Sequence, residues 1–289
     1  MEDFDPGMVI ELQGSFYLLF TYLPIRSYIS SVLMPVNSLI YARMWSQMLI
    51  LAIDTSTRTG SVALLQDDQV LAEVSGAEET PYSSRLFRDM ETLKSNAQFE
   101  LNQIDVFAVA SGPGSFTGLR IGLTAVKAWA EVHGKPIAAI SGLEAISVQS
   151  KAIGGELGSE NQILAPFFDA RRGQLFGALY QYTPGNSGGM ELVGEESIFS
   201  PEEFVALVKG SFRLGHPTIV SPVPEQLSRS LLQESLPGVG IEAVSAVLAP
   251  AVGRLGFERA KRGDLLDALR LDANYVRRSD AEAAWSDVK

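Results

Sequence analysis

A twelve-residue pattern occurs twice in this chain, and it limits the available folds more than any other feature. Ile53-Asp54-Thr55-Ser56-Thr57-Arg58-Thr59-Gly60-Ser61-Val62-Ala63-Leu64 is matched by Phe168-Asp169-Ala170-Arg171-Arg172-Gly173-Gln174-Leu175-Phe176-Gly177-Ala178-Leu179. In each copy an apolar strand ends in Asp, an Arg-containing turn with a glycine follows, and a second strand begins. The second turn is the shorter one. Each hairpin is followed by a helix signal. After the first, Pro81 suits a first helical turn, and Leu86, Met90, Leu93 and Ala97 fall on one helical face. After the second, Ser200-Pro201-Glu202-Glu203 has Ser as N-cap, Pro at N1 and Glu at N3. One strand-hairpin-helix unit used twice predicts two related lobes.

The remaining pattern fits that plan. Strands are expected at Leu49–Ile53, Ser61–Gln66, Val70–Ser75, Ile104–Ala110 and Lys135–Ile140, with Asp67-Asp68 as a turn. Helices are expected from Pro81, from the loop Ser111–Thr117 through about Val132, and over Leu143–Lys151. Later come a strand near Thr218–Val220 and helices near Glu225–Leu232 and Ala249–Arg262. The fold class is therefore α/β, on the plan of the actin-like, sugar-kinase-like ATPases: two ribonuclease-H-type lobes with mixed sheets flanked by helices. The lobes are expected at 48–151 and 152–289. Residues 1–47 read differently, because Pro6, Pro24 and Pro35 interrupt any helix or strand. They read as an extension upstream of the fold, not as a functional domain. They hold no apolar run near the ~20 residues of a membrane span. They open with Glu2, Asp3 and Asp5 where a secretory signal is basic.

Charge and composition exclude several functions. The chain has 289 residues and a net charge of −11. Without residues 1–47 it keeps 30 acids against 21 bases. A surface that grips nucleic acid by its phosphates needs the opposite balance, so any RNA must be held by something else. The chain has no cysteine for a disulfide or a metal site. Its two histidines, His133 and His216, are too far apart in sequence for ligand spacing.

Two segments carry candidate chemistry. Asp54, Thr55, Ser56 and Thr57 follow the first strand, where a carboxylate can hold a cation through water and turn N–H groups can hold a phosphate. The alternative is that Asp54 and Thr57 satisfy the backbone of a tight hairpin. The loop Ser111-Gly112-Pro113-Gly114-Ser115-Phe116-Thr117-Gly118 joins a strand to a helix N-terminus, a place suited to anions. It lacks the Gly-Lys-Ser/Thr of a Walker loop, and its spacing is one residue too long for the dinucleotide fingerprint. Asp54, Thr55, Ser56, Thr57, Gly112 and Gly114 are thus the candidate phosphate-binding set, as a vestigial site.

Four stretches resemble the TsaB (YeaZ) family: MLILAIDTST from Met48, SGPGSFTGLRIGLTAVKAWA from Ser111, KPIAAISGLEAIS from Lys135 and FDARRGQLFGALY from Phe168. The likeness covers Met48 to about Tyr180, and the later Asn274-Tyr275-Val276-Arg277-Arg278 resembles the family's Tyr-Leu-Arg ending. The resemblance implies a non-catalytic subunit in the cytoplasm. It would pair with the related catalytic subunit TsaD and recruit the ATPase TsaE. TsaD transfers threonylcarbamoyl to the adenosine beside the anticodon, and tRNA would be met only through the complex. No cofactor is required of this chain, although a nucleotide at the interface with TsaD is compatible with the family. TsaD binds metal through a His-x-x-x-His pair, and the corresponding positions here are Ser141 and Ala145. Neither can replace an imidazole.

The helix after the glycine loop bears on partnership. Arg120, Thr124, Lys127 and Glu131 form its one polar stripe, and the three neighbouring stripes are apolar or small. A surface helix ordinarily buries one apolar stripe. Either a second face meets another chain, or the helix is buried within its own. In the family, the two helices of the first lobe pack against TsaD. That implies an interface built from Leu86, Met90, Leu93, Gly118, Leu119, Gly122, Leu123 and Val126, and a homodimer when TsaD is absent. Two other classes stay open: a metabolite kinase of the same superfamily, which needs a working ATP site, and a peptidase, which lacks a metal pair, a cysteine nucleophile and a histidine-paired serine.

Overall fold

The computed structural model describes residues 8–12, 15–21, 31–35, 47–76, 82–151, 162–183 and 190–276. The chain forms two compact units, Met1–Gln47 and Met48–Lys289. In the first, strands β1 (Met8–Leu12), β2 (Ser15–Thr21) and β3 (Ser31–Pro35) make an antiparallel sheet in that order. The prolines were expected to prevent regular structure there. Instead β1 and β2 lie between Pro6 and Pro24, and Pro35 is the last residue of the edge strand β3, a position where proline is tolerated. The second unit carries everything described below.

Its first sheet contains β4 (Leu49–Asp54), β5 (Ser61–Gln66), β6 (Gln69–Ser75), β7 (Val106–Gly112) and β8 (Ile137–Ser141) in the order β6-β5-β4-β7-β8. Its second contains β9 (Gln162–Asp169), β10 (Leu175–Tyr182), β11 (Met190–Phe199), β12 (Pro217–Ser221) and β13 (Ile241–Ala243) in the order β11-β10-β9-β12-β13. The two orders are the same: an antiparallel three-strand meander, then two strands added parallel to its first member. This is the ribonuclease-H-type lobe used twice, with the repeated hairpins as β4–β5 and β9–β10.

Helices α1 (Tyr82–Ala97) and α2 (Phe116–His133) cover one face of the first sheet. The expected start of α1 at Pro81 lies outside the described residues. Phe107, Val109, Leu86, Leu93, Leu119 and Val126 fill that layer and are almost completely buried. Helix α4 (Pro201–Ser211) begins on the Ser200 capping box and covers the second sheet with Phe204, Val205 and Val208. The helix expected near Glu225–Leu232 is broken in two. A 3-10 turn spans Pro224–Gln226, and α5 (Arg229–Ser235) restarts where the Ser228 hydroxyl accepts from Leu231 N–H.

The other faces of the two sheets share one core, and two helices cross over to make it. Helix α3 (Gly142–Ser147) follows the first sheet but packs on β9 and β10. Helix α6 (Ala249–Arg262) comes last in sequence but packs on β4, β5 and β7. Close approach depends on Gly256, where an added Cβ would lie 2.7 Å from Ala108 Cβ. The Ser61 hydroxyl, 188 residues away in sequence, accepts from Ala249 N–H.

Candidate functional site

The Asp54 turn and the glycine-rich loop meet at the carboxyl ends of β4 and β7. Open α/β sheets place their ligands at such strand ends. Here the two segments are in direct contact. Ser115 N–H donates to Ser56 O at 2.9 Å. A Cβ on Gly114 would lie 2.6 Å from both Ser56 Cβ and Ser56 O. One on Gly118 would lie 2.0 Å from Thr55 O, and one on Gly122 would lie 2.3 Å from Thr55 Oγ1. The glycines therefore exist to admit this chain's own turn. Gly112 admits a different segment: its φ of +133° suits glycine, and a Cβ there would lie 2.4 Å from Asn274 O.

Asp54 is completely buried. Its carboxylate accepts from Ser56 N–H at 2.8 Å, Ser56 Oγ at 2.6 Å and Thr57 Oγ1 at 2.9 Å. Thr57 Oγ1 in turn accepts from Gly60 N–H. Burial pushes the Asp54 carboxyl above the usual carboxylate range, and these hydrogen bonds from Ser56 and Thr57 oppose it. The donors that would face a phosphate are committed to Asp54, and the carboxylate that would face a cation is committed to the turn. Thr55 is also buried, and among the described residues its hydroxyl has no partner. As arranged, the turn does not fit a phosphate-bound cation. Of the candidate set, Gly114 and the Asp54–Thr57 turn form a closed joint between a hairpin and a helix, and Gly112 abuts Asn274.

The residues expected at the partner interface are placed inward. Leu86, Met90, Leu93, Leu119, Leu123 and Val126 are each at most 6% exposed, and Gly118 and Gly122 face Thr55. This corrects the surface drawn from sequence. The six apolar side chains fill the layer between α1, α2 and the sheet and the two glycines abut the Asp54 turn, so all eight positions are buried within the chain. On the remaining apolar stripe Ile121 and Ala125 are half-buried against the same layer, Ala128 is exposed, and Val132 is 77% exposed. Phe87 on α1 is 62% exposed and meets Trp129 edge-on at 6.4 Å.

A second polar cluster sits where the two sheets face one another. Ser141, the last residue of β8, N-caps α3 by accepting from Leu143 and Glu144 N–H, and its hydroxyl donates to Glu196. Tyr180 Oη donates to Glu196 at 2.6 Å, and the Asn274 side-chain amide donates to its other oxygen. Burial pushes Glu196 above the usual carboxylate range, against the pull of these hydrogen bonds. The same burial raises Glu144, which is held by Arg259 at 3.1 Å. Asn274 also donates its backbone N–H to Ser111 O, so one residue of the C-terminal segment ties β7 of the first sheet to β11 of the second. Sequence reasoning singled out Ser141 and the Asn274-Tyr275 ending separately. It missed Glu196 because Met190–Phe199 carries three glutamates and does not read as a strand.

The histidines lie elsewhere. His133 is the last residue of α2, ahead of the left-handed cap Gly134, and His216 meets the Phe212 ring. Among the described residues no three or more His, Cys, Asp or Glu side chains are grouped to hold a metal. Nor is any helix among them long and apolar enough to cross a membrane.

Residues 78–212 match the family profile of TsaD, tRNA N6-adenosine threonylcarbamoyltransferase. The tRNA threonylcarbamoyladenosine biosynthesis protein TsaB of Bacillus subtilis is 32% identical over 242 residues, covering 82% of this chain and 98% of that one. The protein of the same name from Escherichia coli is 32% identical over 183 residues, covering 63% of this chain and 68% of that one. Among solved structures, YeaZ from Pseudomonas aeruginosa superposes with a TM-score of 0.60 at 26% identity, covering 79% of this chain and 99% of that one.

Proposed function

The chain belongs to the TsaB family, and on that premise we propose that it is a non-catalytic subunit of the cytoplasmic machinery that makes threonylcarbamoyladenosine on tRNA. In this reading it pairs with TsaD, recruits TsaE, and meets tRNA only through the complex. One observation carries the non-catalytic part. The turn after Asp54 is sealed by Gly114, Gly118 and Gly122, and both carboxylate oxygens are engaged by Ser56 and Thr57. A kinase or ATPase of this fold needs that carboxylate and those amides open to a cation and a phosphate. The replacement of a histidine pair by Ser141 and Ala145 supports the same reading. Ser141 is occupied as an N-cap and as a donor to Glu196, and Ala145 is buried.

The partner surface we propose is the outer side of α1 and α2: the exposed Phe87, Ala128 and Val132, backed by the half-buried Ile121, Ala125 and Trp129. Isolated exposed apolar residues are ordinary, but Phe87 packed on Trp129 joins the two helices into one face that suits a helix-to-helix contact. The same face would serve TsaD in the heterodimer and a second copy of this chain when TsaD is absent. Any nucleotide at the heterodimer interface would then be held mainly by TsaD, with this chain supplying a wall.

The test is reconstitution. TsaD, TsaE, the threonylcarbamoyl donor system, ATP and tRNA are combined with and without this chain, and modified adenosine is counted by mass spectrometry. Modification should depend on the chain, and TsaD should co-elute with it. Unchanged modification without the chain would defeat the proposal, as would ATP turnover by the chain alone at enzymatic rates.

A further inference from the structure

A small, half-open cavity of about 130 Å³ lies where residues 271–275 run beside α2. Arg120, Thr124 and Lys127 line one side, and Leu271, Asp272 and Tyr275 line the other. The three α2 residues follow each other at i, i+4 and i+7, so their side chains reach the same flank of the helix.

Arg120 is held in place without being neutralised. Its guanidinium carbon lies 3.9 Å from the centre of the Phe116 ring, and its Nε donates to Tyr275 Oη at 3.2 Å. The Phe116 and Tyr275 rings are 5.0 Å apart, which braces both groups. The ring face and the phenol hold the guanidinium on the cavity wall, and neither takes a hydrogen bond from its terminal nitrogens. Among the described residues, no carboxylate is within ion-pair distance of Arg120 or of the half-buried Lys127. The one acid on the wall, Asp272, spends an oxygen on Ala273 N–H. So in a chain of net charge −11, two cations without counter-ions share a cavity with a threonine hydroxyl and one partly engaged carboxylate.

We propose that this cavity binds a phosphoryl group, either inorganic phosphate or the end of a phosphate monoester. A tetrahedral dianion takes hydrogen bonds from a guanidinium, an ammonium and a hydroxyl converging from different directions, and charge-assisted bonds of this kind are the strong ones. The volume is well below the ~300 Å³ lower end of pockets that enclose a whole small molecule. Any nucleoside or sugar attached to the phosphate therefore projects into solvent. The site lies on the outer flank of α2, separate from the sealed Asp54 turn, and does not depend on the tRNA-modification reading.

The test is a titration of the full chain, isotopically labelled, followed by amide chemical shifts. Inorganic phosphate is compared with sodium chloride at equal ionic strength, and adenosine monophosphate is compared with adenosine. Phosphate should give saturable shifts confined to residues 120–127 and 271–275, and chloride should not. Shifts with adenosine monophosphate as well as phosphate identify a monoester site, and shifts with phosphate alone identify a free-anion site. The variant Arg120→Gln/Lys127→Gln should bind at least tenfold more weakly while melting as the parent does, because neither side chain is in the core. Shifts that are absent, that spread over the whole surface, or that survive in the double variant at parental strength overturn the proposal.

Discussion

The contact between α2 and the Asp54 turn is tight enough to be tested with single methyl groups. Gly118→Ala places a Cβ 2.0 Å from the Thr55 carbonyl oxygen, and Gly122→Ala places one 2.3 Å from Thr55 Oγ1. Both substitutions gain about 1 kcal/mol of helix propensity. Overpacking a dense core costs about 1–3 kcal/mol, and more where main chain must move. At Gly118 the obstacle is main chain, anchored through the Ser115–Ser56 hydrogen bond, so a net loss of about 2–4 kcal/mol is expected. At roughly 3 °C per kcal/mol for a unit of this size, the melting temperature should fall by about 6–12 °C. At Gly122 the obstacle is a side chain whose hydroxyl has no partner among the described residues, so the net loss should be about 0–2 kcal/mol. Thr55→Ala removes that obstacle at Gly122 and leaves the carbonyl facing Gly118 in place. A double-mutant cycle should therefore show coupling of about 1 kcal/mol for Thr55 with Gly122, and little for Thr55 with Gly118. The assay is thermal and urea unfolding of the parent, the three single variants and the two double variants. Gly118→Ala melting within 2 °C of the parent, or rescued by Thr55→Ala, would refute the placement of α2 against this turn.

Four further outcomes follow from the same structure. Asp54→Ala leaves three donors without an acceptor and should cost about 2–4 kcal/mol, yet tRNA modification by the assembled complex should persist; loss of modification with assembly intact would restore a working phosphate site. Phe87→Glu and Val132→Glu should abolish co-elution with TsaD while changing the melting temperature by less than 2 °C, about the effect of an ordinary surface substitution, and binding at parental strength would place the interface elsewhere. Glu196 has a carboxyl raised by burial, so the folded state binds its proton more tightly than the unfolded chain, and its contribution to stability is lost as pH rises from the ordinary value of 4.5; Glu196→Gln should thus be least harmful at the higher pH, and a penalty that grows with pH across urea titrations would contradict this. Deleting residues 1–47 should leave the melting of the Met48–Lys289 unit and its binding to TsaD unchanged, and a large drop in either would show that the two units depend on each other.

Much of the fold was legible because its signals are local. Each Asp-ended strand and its turn reappears as a β-hairpin, Ser200-Pro201-Glu202-Glu203 starts α4 as written, and Ala249–Arg262 is a helix over that range. What failed was orientation. Three adjacent stripes of α2 are apolar, and helical periodicity fixes their angles to one another but not which of them faces the sheet. The Gly118–Gly122 and Leu119–Leu123 stripes face the chain's own turn and core. The Ile121–Val132 stripe is the least buried, half-covered at Ile121 and Ala125 and exposed at Ala128 and Val132. The candidate phosphate residues were found as a group, but only coordinates show that Ser56 and Thr57 turn their donors onto Asp54. Strand β11 was invisible because it is an edge, where glutamates are tolerated and discourage further pairing. The cluster it carries joins residues 16 to 133 positions apart, Ser141 and Asn274 at the far extreme, and no spacing rule reaches across that range.

The return of α6 to the first sheet has a consequence for how the protein is made. The face of β4, β5 and β7 that α6 covers is apolar, and its Ser61 hydroxyl waits for Ala249. A ribosome adding about 5–20 residues per second needs roughly 10–40 s to span those 188 positions. During that interval a sheet with one sticky face is exposed outside the exit tunnel, where early chaperone binding would be useful. A chain broken off before residue 249 never covers it. The first lobe, although encoded first, is therefore finished last, and truncated products should aggregate and not persist as a folded half.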